Sequence, residues 1–247
     1  MLRVALLLFL CLPNTAFAGT LSWLGEERWV TAAKVYDGDT FKTRHGEKVR
    51  LLGINTPEIQ HRDSVRQVGG NAAKQALTQL ILGKQLRLRF DKEKKDRYGR
   101  TLAQVWMADG LWVNGWLLEH GHAHVYTFEP NTRWTKKLLK HERIARQQAL
   151  GIWQTSRFKI LKAEHISNKY IGQFRVIHGL VKKISDKHGW KFQVGKIMVS
   201  IPKKARKAFK HPPRIKPGQA ITVRGKIRIS SKENLFLSLY SPADLEL

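Results

Sequence analysis

Cysteine is almost absent from this chain. Its one thiol, Cys11, falls inside the first 18 residues. The rest of the sequence can therefore build no disulfide, no cysteine–zinc centre and no thiol nucleophile. Acid is scarce as well: 19 Asp and Glu stand against 45 Lys and Arg, a formal net charge of +26. A surface of that sign attracts polyanions such as nucleic acid, anionic lipid or acidic polysaccharide, and the plain alternative is a solvated basic surface with no single partner. Long apolar runs are missing too, so no membrane anchor is expected. The short run Val4 to Leu12 follows Met1-Leu2-Arg3 and ends at Pro13 and Asn14, and Ala16-Phe17-Ala18 has the small residues of a cleavage site. This is the layout of a signal peptide cut after Ala18, and it predicts export to a periplasm or the medium. Leu10 stands before Cys11, where a lipoprotein site needs a small residue.

What is present divides into two blocks. In residues 19–154 strand patterns cover Trp29 to Tyr36, Thr40 to Thr43 and Lys48 to Ile54, separated by the turn signals Asp37-Gly38-Asp39 and His45-Gly46. Ala73, Ala76, Leu77, Leu80 and Ile81 then recur at helical spacing, with Gly83 beyond them. Two further strands are expected, Leu86 to Phe90 and Arg100 to Met107, followed by helices over Val113 to His120 and Trp134 to Ala149. The order suits a mainly β protein with helices (α+β): a five-stranded Greek-key barrel of the oligonucleotide-binding (OB) kind.

Residues 155–169 read as a linker, and residues 170–247 as a second block. From Thr155 onward 21 basic residues face 5 acidic ones, so this is the more basic part. Strand patterns at Phe174 to Ile184, Trp190 to Val194, Ile197 to Ile201, Ala220 to Ile229 and Leu235 to Tyr240, with a short helix near Lys203 to Phe209, suggest a second small OB-like barrel that binds nucleic acid. Trp190, Phe192 and Phe236 suit base stacking or core packing equally. Lys203-Lys204, Arg206-Lys207 and Lys210 form either a nucleic-acid grip or a solvated helix face.

Three clusters in the first block carry chemistry: Asp37-Gly38-Asp39-Thr40, Arg50 through Glu58 (RLLGINTPE), and Asp96-Arg97-Tyr98-Gly99-Arg100. Phosphodiester hydrolysis needs an activated water, a proton acceptor and cations for the charge on the phosphoryl oxygens. Asp39, Asn55, Glu58, Arg50 and Arg100 supply that set, since oxygen donors hold hard cations and guanidinium groups grip phosphate. Each cluster alone is also an ordinary turn or loop. His120, His122 and His124 alternate near a helix end and read as partly exposed polar positions rather than a zinc site.

Together, the order and wording of the clusters resemble the staphylococcal nuclease (thermonuclease) family. That family has a DGDT turn, then Arg-Leu-x-x-x-Asp-Thr-Pro-Glu, then Asp-x-Tyr-Gly-Arg followed by Leu-Ala. The likeness extends through Val113-Asn114, Gly121-His122-Ala123, Tyr126, Pro130-Asn131 and Gly151-Ile152-Trp153, over about residues 29–154. It implies an OB-fold catalytic domain and a calcium-dependent endonuclease acting on DNA and/or RNA with little sequence specificity, leaving 3′-phosphate ends. Asp39 and the Thr56 carbonyl would hold calcium. Arg50 and Arg100 would bind the scissile phosphate, Glu58 would act as general base, and Tyr98 and Tyr126 would line the nucleotide pocket. Asn55 departs from the family, which typically has a second metal-binding Asp there. The loss of one charge predicts weaker calcium binding, and leaves open a catalytically weakened nucleic-acid-binding protein. No protein partner is expected.

Overall fold

The computed structural model describes residues 27–59, 67–231 and 233–247. The expected signal peptide, residues 1–18, lies outside them. No helix of the described residues is long and apolar enough to cross a membrane.

The first block folds as β1 (Glu27–Val35), β2 (Thr40–Thr43), β3 (Lys48–Leu51), β4 (Ile54–Asn55), α1 (Gly70–Ile81), β5 (Gln85–Arg89), β6 (Thr101–Met107), α2 (Val113–Glu119), β7 (His124–Val125) and α3 (Thr135–Gln147). Five of these strands close a barrel in the order β1-β2-β3-β6-β5. All its pairings are antiparallel except β3 with β6. Period-two patterning explains the inside: Leu86 and Leu88 on β5 and Val49 and Leu51 on β3 are buried, while Arg87, Arg89 and Arg50 alternate outward. On β6, Gln104 and Trp106 are buried as well as the inward residues, because Trp112 stacks on Trp106 at 5.7 Å and Trp134 packs tilted against it at 5.2 Å. Gln104 is satisfied there, donating to the Leu52 carbonyl (2.7 Å) and accepting from the Trp112 indole (3.0 Å).

One expected strand is divided. Lys48 to Ile54 breaks at Leu52-Gly53, and Gly53 takes φ +82°, which favours glycine. A Cβ there would stand 2.6 Å from Leu138 Cδ1, so the close approach of α3 also requires glycine. The turn releases Ile54-Asn55 from the barrel to pair with β7.

The second block contains β8 (Leu161–Lys162), β9 (Phe174–Ile184), β10 (Lys191–Val194), β11 (Ile197–Ser200), α4 (Arg206–Phe209), β12 (Ala220–Ile229), β13 (Leu235–Ser238) and β14 (Leu245–Glu246). Its strands run β9-β10-β11-β13-β12, and β12 pairs back on β9. The connection β11 to β13 is parallel, the counterpart of β3 to β6. Both barrels therefore share one strand order. Phe192 and its neighbours fill the second core, so Phe192 is a packing residue. The segment 155–169 is structured. Leu161 pairs with Ile177, Ala163 and Ile166 enter the second core, and Phe158 packs with Ala145, Ile152, Trp153 and Val176.

Candidate active site

The site begins at the β1–β2 turn. Asp37 Oδ1 accepts the Asp39 N–H (3.0 Å), an Asx turn that aims Asp39 inward. Gly38 belongs there because a Cβ would meet Ala73 Cβ at 2.6 Å and Thr56 Cγ2 at 2.8 Å. Asp39 Oδ2 accepts the Thr56 N–H (3.0 Å) and hydroxyl (3.2 Å) and lies 2.9 Å from Arg50 Nη1. Arg50 Nη2 donates to Asn55 Oδ1 (3.0 Å), and Asn55 Nδ2 donates to the Thr56 carbonyl (3.1 Å). Four of the expected site residues, Asp39, Arg50, Asn55 and Thr56, thus form one network. The Gly53 turn makes it possible by bringing Asn55 and Thr56 back toward the end of β2.

Glu58 is exposed and lines a cleft of about 500 Å³ with Asn55 and Tyr126. Tyr126 is fixed by its N–H to the Gly53 carbonyl (2.9 Å) and stands edge-on to Phe128 and Phe174 at 4.5 and 5.8 Å. Partial burial raises its phenol pKa, so the ring stays neutral.

Arg100 and Tyr98 lie in a separate hollow with Glu47 and Lys48. Arg100 Nε and Nη2 both approach Asp96 Oδ2 at 2.7 Å. Burial raises the Asp96 pKa, but hydrogen bonds from Arg100 and Tyr98 outweigh it and leave the carboxyl below its usual range. Tyr98 is 68% exposed, with Arg100 5.5 Å from its ring. Arg50 pairs with Leu102 across β3 and β6, and Arg100 precedes Leu102 by two residues. The two arginines therefore share the outer face, one pleat repeat apart.

Two residues emerge that the sequence reading left out or misplaced. Asp37 stands beside Asp39, and burial followed by the Asp39 charge pushes its pKa up to about 6. The DGDT turn contained that signal, since both its carboxylates face one side. His124 was expected to be partly exposed and is buried. Its ring packs between Phe158 (5.2 Å) and Phe174 (4.9 Å). Burial, then the charges of Arg224, Arg50 and Arg157, push its pKa down to about 3. His122 is half-buried and His120 exposed, both stacked on Trp116.

Asp37, Asp39, Asn55 Oδ1 and the Thr56 carbonyl are all hard oxygen donors. Burial and then the Asp39 charge raise Asp37; a divalent cation would relieve the second of these, and the oxygen chemistry of the donors suits one. Asn55 and the Thr56 carbonyl are at present satisfied within the network.

The model of the staphylococcal nuclease homologue family matches residues 48–155, ending before the second barrel. The thermonuclease of Staphylococcus intermedius is 35% identical over 124 residues, 49% of this chain and 73% of that protein. The SPbeta prophage-derived endonuclease YokF of Bacillus subtilis (strain 168) is 39% identical over 129 residues, 50% of this chain and 43% of that protein. Endonuclease YncB of the same organism is 38% identical over 132 residues, 51% of this chain and 62% of that protein. The chain thus spans less than two thirds of the two Bacillus proteins. The family match spans Arg50 through Arg100, and with 73% of the Staphylococcus intermedius protein covered at 35% identity the chain belongs to the staphylococcal nuclease homologues.

Proposed function

We propose that this chain is an exported, calcium-dependent endonuclease that hydrolyses DNA and/or RNA with little sequence preference. The observation that carries the proposal is the network of Asp39, Arg50, Asn55 and Thr56 opening onto the cleft of Glu58 and Tyr126. The thermonuclease and endonuclease relatives support a nuclease.

Asp39, Asn55 and the Thr56 carbonyl are the residues to hold calcium, with Asp37 behind them. A bound calcium supplies Lewis acidity and orients the phosphate. Arg50, and Arg100 on the same barrel face, grip the phosphate oxygens and stabilise the charge that gathers on them. Glu58 takes the proton of the attacking water as its oxygen bonds to phosphorus. The bond from phosphorus to the 5′ oxygen breaks, that oxygen leaves and takes a proton from solvent, and a 3′-phosphate and a 5′-hydroxyl remain. Tyr126 offers its ring to a base and Tyr98 stands near phosphate; a stacking platform tolerates every base.

Degradation of single-stranded DNA in calcium, in magnesium and in chelator tests this. The proposal expects turnover in calcium that chelator abolishes; equal rates in all three would sink the catalytic metal. A second reading, a weakened enzyme that mainly binds, draws on the hydrogen bonds that occupy Asn55 and the Thr56 carbonyl. It would prevail if the natural protein and its Glu58→Ala variant degraded DNA equally slowly.

A further inference from the structure

The outer face of the second barrel carries an ordered line of side chains. On β10, Gln193 is paired with Lys183 of β9 and with Met198 of β11. Met198 pairs in turn with Phe236 of β13, and Phe236 with Arg228 of β12. Residues directly opposite across a ladder share a face. Lys183, Gln193, Met198, Phe236 and Arg228 therefore form one row across all the barrel's strands, each of them half-buried or exposed. Neighbouring strands lie about 4.8 Å apart, so the row is on the order of 19 Å long.

The row runs between two hollows. A cleft of about 510 Å³ runs over Lys183, Gln193, Met198 and Phe236. Arg228, at the other end, lines the same cleft as Glu58 and Tyr126. The two hollows also touch at Ser200 and Ser238, whose hydroxyl oxygens are 3.4 Å apart. The hollow of the candidate catalytic residues thus adjoins the one on the second barrel.

The row is cationic at both ends and apolar and aromatic between them, and Lys191 and Lys196 also line its hollow. Lys183 and Arg228 suit phosphates, Phe236 and Met198 suit the face of a base, and Gln193 suits a base edge. The basic run near α4 is a weaker candidate, because Lys204 already sits 5.1 Å over Tyr240 and Arg206 4.8 Å over Trp190. We propose that the row from Arg228 to Lys183 is an accessory subsite for the single strand that flanks the scissile phosphate. This rests on the nuclease reading above. A groove with a stacking platform binds single strands without reading sequence, and each barrel of this kind covers about 4–16 nucleotides.

The test uses the full chain with Glu58→Gln to stop turnover, and labelled single-stranded oligonucleotides of 4 and 16 nucleotides followed by fluorescence anisotropy across a salt series. The 16-mer is expected to bind more tightly than the 4-mer. Lys183→Gln with Arg228→Gln should lower the log–log salt slope for the 16-mer by about 1.4, two phosphate contacts at ~0.7 each. Phe236→Ala should weaken the 16-mer by about fivefold or more. Lys203→Gln with Lys207→Gln removes the same charge away from the row and should change the slope by less than half as much. Equal losses from the two charge pairs, or no gain with length, would overturn the subsite. The exposed lysine and arginine pair decides the matter if Phe236→Ala does not fold. Cleavage by the unmodified chain is scored separately: failure to cut either oligonucleotide counts against the nuclease, while the slopes still judge the row.

Discussion

Glu142 on α3 and Arg224 on β12 form an ion pair that joins the two barrels. Arg224 Nη1 stands 2.8 Å from Glu142 Oε1 and donates to Oε2 at 3.0 Å, and both side chains are buried. Glu142 Oε2 also accepts the Val125 N–H on β7 (2.6 Å), and Arg146 extends the network to Glu246 (2.6 Å). The pair thus anchors the strand that leads to Tyr126, so the second barrel braces the cleft.

Removing one member should expose its cost. Arg224→Met leaves Glu142 buried with one partner fewer and is expected to destabilise by about 3–5 kcal/mol. Adding Glu142→Leu should recover part of this, because no uncompensated charge then remains. Urea unfolding of the two variants beside the natural protein measures both.

Asn55→Asp restores a carboxylate and cannot donate to the Thr56 carbonyl, which frees that oxygen. Calcium affinity is expected to rise on the order of tenfold, one more charged ligand in the set. Calorimetric titration of both proteins with calcium reads this without any substrate. Unchanged affinity would remove Asn55 from the ligand set.

Glu58→Gln keeps the shape of the side chain and removes its basicity. Cleavage should fall by about 10²- to 10⁴-fold, while binding of single-stranded DNA in calcium stays within about threefold. Parallel rate and anisotropy measurements check it; a binding loss as large as the rate loss would reassign Glu58 to substrate positioning.

His124 makes stability depend on pH. Its folded pKa is about 3 and its unfolded value is about 6.5. The unfolded chain binds the proton more readily, so this contribution is complete above pH ~6.5 and is lost as pH falls, at about 1.4 kcal/mol per unit. Asp37 acts in the opposite sense: burial and the Asp39 charge push its folded pKa up to about 6, above the ordinary carboxylate range, so it favours the fold at low pH and that benefit is lost as pH rises through 6. The two oppose each other between about pH 4 and 6. The comparison of His124→Phe with the natural protein isolates the histidine, and the variant should gain relative stability steadily from pH 6.5 to 4.5.

Gly38→Ala should damage the site through packing alone. Its methyl would lie 2.6 Å from Ala73 and 2.8 Å from Thr56, forcing Thr56 away from Asp39 at about 1–3 kcal/mol. Thermal unfolding and calcium titration together should show both losses.

Local signals were readable because turns and pleats are local physics. Asp37-Gly38-Asp39 is a turn whatever surrounds it, and Leu86 and Leu88 alternate with arginines whatever lies inside. The same signals placed β5, β6 and the strands of the second barrel within a residue or two, and the end of α1 at Ile81, though that helix starts three residues before Ala73. They missed the break at Gly53, because the requirement comes from Leu138, 85 residues later. They missed the burial of His124, because Phe158 and Phe174 come from beyond the first barrel. Arg50 and Asn55 are only five residues apart, yet their contact depends on that same break.

The sequence alone determined which residue types were available: an excess of cations, hard oxygen donors without thiols, and strands of alternating polarity. Those follow from composition and short-range geometry. Tertiary structure decided that Asp39 meets Thr56, that His124 is buried against Phe158 and Phe174, and that Glu142 meets Arg224 between the two barrels. Such contacts close loops of tens of residues, and their geometry is fixed by strand register and core packing, which no short stretch of chain contains.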